Sequence, residues 1–71
     1  MGRFVIKEPG KEPKWIKNLD TVNGKMTFTT DRSKAFKRSG DFYTKCQYDT
    51  IKRFYIDDYP ELAHLQIDSD W

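Results

Sequence analysis

Two side chains offer nucleophile and base chemistry in this chain, the single cysteine Cys46 and the single histidine His64. A nucleophilic thiol needs an adjacent base, and His64 is the only imidazole that could serve. The plainer reading makes Cys46 a small, semi-exposed helix residue and His64 a solvent-facing strand residue. A zinc centre takes three or four nitrogen, sulfur or oxygen ligands, more than one cysteine and one histidine provide. The neighbouring carboxylates Asp57 and Asp58 could form half of an acid pair, but a solvated turn explains them better. No phosphate-cradling P-loop, dinucleotide GxGxxG or nucleophile-elbow GxSxG is present. The expectation is therefore a protein without catalytic residues, metal or cofactor, whose work is binding.

Two sets of residues could carry that binding. Eleven aromatics make up 15% of the chain, a high share for so small a core. Exposed tyrosine and tryptophan are favoured at interfaces. Tyr48, Tyr55, Tyr59 and Trp71 are expected to be the least buried of them, with the acids Asp57, Asp58 and Glu61 beside them. Residues 1–56 hold all thirteen Lys and Arg against six acids, whereas residues 57–71 hold five acids and no Lys or Arg. Such asymmetry suits an acidic segment that docks on a basic partner, or one that neutralises its own basic body. The second set is basic. Arg3, Lys7, Lys14 and Lys25 are expected on one face of a β-sheet, and Arg32, Lys34, Lys37 and Arg38 on a following helix. Basic side chains on a short ribbon suit phosphate contacts, although a plain solvated face accounts for them as well.

The elements that must position these residues begin with strands. Arg3–Lys7 and Lys25–Thr30 alternate, and Lys14–Leu19 forms a run between them. Pro9-Gly10 and Asn23-Gly24 supply turn chemistry. A two-residue turn at each sets Phe4 opposite Trp15 and Leu19 opposite Phe28. One face then collects Phe4, Ile6, Trp15, Leu19, Met26 and Phe28. The other carries Arg3, Val5, Lys7, Lys14, Ile16, Asn18, Lys25, Thr27 and Thr29. After Thr30-Asp31, an N-cap signal, a short helix is expected over 32–38, with Ala35 and Phe36 inward and Gly40 as its stop. Asp41 is expected to cap a longer helix over 42–56, with Tyr43, Tyr48, Ile51, Phe54 and Tyr55 inward. At the end, Pro60-Glu61 reads as a helix start, but the alternation of Ala63, Leu65 and Ile67 favours a fourth strand over 62–68. The expected fold is one small α+β domain: a three- or four-stranded antiparallel sheet with a short and a longer helix packed on one face.

The run Phe28-Thr29-Thr30-Asp31-Arg32-Ser33-Lys34-Ala35-Phe36, after two short hairpins, resembles small accessory proteins encoded by phages and prophages of Gram-positive bacteria. Many of these read strand, F-T-x-D-x-x-K-A, helix. The likeness spans residues 3–38. The strand order with Trp15, Gly24-Lys25 and Phe28-Thr29 also looks like the three-stranded arm-DNA-binding domains of phage-type integrases, but without their arginine-rich strands. Neither likeness carries over a residue's function. The phage setting implies a non-enzymatic protein that binds and modulates a host protein. One form would be an inhibitor of a bacterial defence system, such as an anti-CRISPR protein acting on a nucleic-acid-binding complex. The alternative is a small nucleic-acid-binding module that uses the basic sheet face.

A chain of 71 residues buries only about 60% of its unfolded surface, so little core is available. The lone cysteine suits a reducing compartment, and neither a signal peptide nor a membrane-spanning run is expected. The expected location is cytoplasmic, in the host cell if the protein is phage-encoded. A marginal core favours dimers, but charged residues and prolines near the strand edges oppose pairing; the balance leans to a monomer.

Overall fold

The computed structural model describes residues 2–69. Four strands, β1 (Gly2–Ile6), β2 (Lys14–Asp20), β3 (Lys25–Thr29) and β4 (Leu65–Ser69), form one antiparallel sheet in the order β3-β2-β1-β4. A single α-helix, α1 (Asp41–Tyr55), covers one face. Two 3-10 turns, Arg32–Lys34 and Pro60–His64, complete the α+β fold.

Register is where sequence pattern and structure part. Val5, not Phe4, stands opposite Trp15, because the first connection is the long loop 7–13 and not a tight turn. A one-residue slip exchanges the two faces of a strand. Trp15 therefore lies on the outer face and Ile16 enters the core. Lys17 then forms a bulge: Ile16 pairs with Phe28 and Asn18 with Thr27. The extra residue restores the phase, so Leu19, opposite Met26, again points inward. The Asn23-Gly24 turn is wider than two residues. Asp20 carboxylate oxygens accept the backbone N–H groups of Val22 (3.1 Å) and Asn23 (3.2 Å) and the Asn23 side-chain amide (2.7 Å). This Asx arrangement closes a four-residue turn over 21–24, with Gly24 at φ 67°.

The expected helix over 32–38 is corrected to one 3-10 turn. Asp31 caps it as its residue type predicts, accepting from the Ser33 N–H at 3.0 Å. Beyond Ala35 the backbone has better partners elsewhere. β1 and β2 pair through Val5–Trp15 and Ile6–Lys14, and residues 36–38 bond to the stretches beyond that pairing. The Phe36 N–H donates to the Ile16 carbonyl (2.9 Å), and Gly2 and Arg38 exchange two bonds of 2.8 Å. Phe36 thereby stacks over Phe4, ring centroids 6.5 Å apart. Ala35 and Phe36 face inward as expected, without a helix to carry them.

Helix α1 starts after Gly40, at φ 84°, and Asp41 occupies its first turn instead of the cap. Its inward residues are Thr44, Tyr48, Ile51 and Tyr55, spaced four, three and four apart along one stripe. Thr44 is fully buried, and its hydroxyl donates to the Gly40 carbonyl at 2.8 Å. The core is Phe4, Ile6, Ile16, Met26, Ile51, Leu62 and Leu65. Both readings of the last segment hold in part. Pro60–His64 forms a 3-10 turn that buries Leu62, and strand pairing begins at Leu65.

On the outer face, Asp68 ties three elements together. Its Oδ2 accepts from the Trp15 indole N–H (3.0 Å) and from Arg32 Nε (2.7 Å). The Arg32 hydrogen bond, followed by that from Trp15, holds the Asp68 carboxyl below its ordinary range. Asp31 and Asp20 are lowered too, by hydrogen bonds from Ser33 and Asn23 respectively. Depressed folded-state values contribute stability above the unfolded value and lose it as pH falls through the folded one. The melting temperature is thus expected to be level from about pH 7 to 5 and to fall below about pH 4, where aspartates begin to protonate. Asp68→Asn should soften that fall. A melting temperature that rises between about pH 4 and 2.5 contradicts the assignment.

Candidate protein-binding face

Three large apolar side chains of α1 are not used by the core. Phe42 is 72% exposed, Tyr43 59% and Phe54 68%. Tyr43 and Phe54 were expected inward. The inward stripe instead runs through Thr44, whose small side chain lets the helix sit close to the segment at Arg38, and this turns residues 43 and 54 away from the sheet. Phe42 and Tyr43 meet edge to face at 5.6 Å, and the Arg38 guanidinium lies 5.5 Å over the Tyr43 ring. Between the two aromatic ends lies a shallow depression of about 300 Å³ lined by Cys46, Asp49, Thr50, Arg53 and Phe54.

The tyrosines expected as exposed anchors are structural. The Tyr48 hydroxyl donates to the Leu65 carbonyl at 2.9 Å, and the Tyr59 hydroxyl accepts the Met26 N–H at 3.1 Å. β3 and β4 are the edge strands, so each hydroxyl occupies a backbone group that a sheet edge would otherwise offer to another chain. Tyr55 packs against the core, half-buried. Trp71 lies outside the described residues. Asp57 and Asp58 are exposed on the turn after α1, without an ion-pair partner among the described residues. Glu61 is half-buried and bonded to Lys14 Nζ at 3.5 Å.

The eight basic candidates do not assemble into one face. Arg3 is buried in β1. Lys14 lies on the helix side of the sheet, 4.8 Å over the Phe28 ring and bonded to Glu61. Arg32 is committed to Asp68, and Arg38 is half-buried against Tyr43. Lys7, Lys25, Lys34 and Lys37 remain exposed, spread over a loop, a strand edge and the 3-10 segment.

Cys46 lines the α1 depression, whereas His64 ends the second 3-10 turn, exposed. Among the described residues no cluster of three His, Cys, Asp or Glu is placed to hold a metal, and no helix is long and apolar enough to cross a membrane. No protein-family model, curated protein or solved structure matches the chain. The site is thus argued from its own side chains. The exposed aromatics on α1 are the residues that pattern reading missed. The signal that could have found them is the i, i+4, i+7, i+11 stripe through Thr44, which holds a polar residue at an inward position.

Proposed function

We propose that the protein is a non-enzymatic binding module that docks on another protein through the outer face of α1. The observation that carries this reading is the set of Phe42, Tyr43 and Phe54, exposed on a helix whose opposite face already supplies the core. Single exposed apolar residues are ordinary, but three large aromatics exposed on one helix, one of them lining a depression, mark a contact surface. Asp57 and Asp58, exposed on the turn that follows α1, favour a partner with basic groups nearby. The proposed setting is a phage-type protein that modulates a host protein, a defence complex such as a CRISPR effector being one target class. That setting is supported by the resemblance of residues 28–36 alone, and the run keeps its strand and N-cap but leads into a 3-10 turn.

The test uses the immobilised protein to capture partners from a Gram-positive bacterial lysate, followed by thiol alkylation of the complex. Cys46 is the only cysteine of the chain and lies in the proposed contact. Its labelling is expected to slow several-fold in the complex, because a docked partner excludes the reagent. Labelling that is unchanged in a formed complex places the contact elsewhere. Recovery of nucleic acid instead of protein, lost between about 50 and 200 mM salt, would establish the basic residues as the site.

A further inference from the structure

We infer that the outer face of α1 is occupied in solution by the same face of a second copy, lying antiparallel to it. The inference rests on the reading of that face as protein-binding and names one partner for it. Its first support is the order of charge. Asp41, Lys45, Asp49 and Arg53 follow one another at i, i+4 intervals, alternating in sign. At about 100° per residue the series winds from the side of α1 on to its outer face, and its middle members Lys45 and Asp49 form one flank of that face. The Lys45–Asp41 pair is already formed within the helix, at 3.6 Å. The order is antisymmetric about residue 47. A two-fold axis that relates antiparallel helices lays this flank against its own reverse. Lys45 then meets Asp49 of the second copy, and Asp49 meets the second copy's Lys45. A parallel two-fold copy would instead set this flank against the opposite one, and the two charges would lose these partners.

Shape follows the same reversal. Cys46, Asp49, Thr50 and Arg53 stand at i, i+3, i+4 and i+7, the four positions that form a hole for a knob from a facing helix. Cys46 and Thr50 are small, which permits close approach. Reversal about residue 47 sets Phe42 and Tyr43 of the second copy level with residues 52 and 51, within one turn of Arg53 and Phe54. Each sheet edge already has one backbone group taken by a tyrosine hydroxyl, the Leu65 carbonyl by Tyr48 and the Met26 N–H by Tyr59, which makes edge pairing a poorer route to a dimer. The lean towards a monomer drawn from the sequence weighed those edges and not the helix. Fifteen residues of α1 span about 22 Å, so the interface is small and the association concentration-dependent.

Sedimentation equilibrium at low salt tests this directly. The wild type is expected near twice 8.5 kDa at about 500 μM and near the single mass at about 5 μM, as for a small interface. Asp49→Lys alone and Lys45→Asp alone each place like charges across the axis, and each should weaken association about ten-fold or more. An equimolar mixture of the two variants restores opposite charges at both contacts and should dimerise as the wild type does. Both positions are exposed, and circular dichroism confirms that the variants keep the fold. A wild type that stays monomeric at the higher concentration, variants that associate unchanged, or a mixture that stays monomeric each overturns the inference. A monomeric wild type whose Cys46 is still shielded by a captured protein overturns only the dimer. A monomer that captures nothing removes the docking face as well.

Discussion

Phe4→Ala is expected to lower stability by about 3–5 kcal/mol, the usual cost of emptying a buried aromatic site. A 71-residue domain has about 4–10 kcal/mol in total, so much of the variant should be unfolded at 37 °C or the melting temperature should fall by more than about 10 °C. The size of the effect follows from position. Phe4 is wholly buried in β1, an interior strand of the sheet, and it stacks on Phe36. Phe36 belongs to the segment that bonds to Ile16 and, through Arg38, to Gly2. Loss of the ring therefore leaves a cavity and also loosens the stretch that joins β3 to α1. Val22→Ala is the control. Val22 is 91% exposed, and the change should lie within about 0.5 kcal/mol. Denaturant titration reads both; equal midpoints for the two variants would contradict the assigned core.

The sheet was legible in the alternation of β1 and β3 and in the turn residues, because side-chain period and turn chemistry are local. What was not legible depends on competition between distant groups. The face of Trp15 hinges on one residue of register in the first loop, and its indole finds Asp68, 53 positions away. The bulge at Lys17 has no signature in residue type, since it only restores phase between two hydrophobic stretches. The Asn23-Gly24 turn widened because the Asp20 carboxylate bonded across it. The helix over 32–38 failed because unpaired strand backbone beside it offered bonds that outweigh weak helical propensity. For the candidate site, the acids Asp57 and Asp58 were placed correctly as exposed. Tyr48 and Tyr59 were not, because tyrosine buries its ring while its hydroxyl bonds backbone. Phenylalanines at exposed positions break the inside–outside rule on which that reading depends.

The second large effect separates two residues three positions apart on α1. Ile51 is 1% exposed and Phe54 68% exposed. Ile51→Glu buries a carboxylate among apolar side chains, at a cost of several kcal/mol, and should unfold the domain. Phe54→Glu puts the same charge into water, with an expected change within about 0.5 kcal/mol. At the proposed interface the consequences are reversed in kind. A charge placed among desolvated aromatic contacts removes a hot-spot residue, and binding should fall at least about thirty-fold, the equivalent of about 2 kcal/mol. The most direct measurement is therefore the Phe54→Glu protein itself, its denaturation midpoint and its binding to the captured partner taken on one preparation. A wild-type midpoint with binding lost is the predicted result. Binding retained at wild-type strength on a folded Phe54→Glu protein would contradict the account.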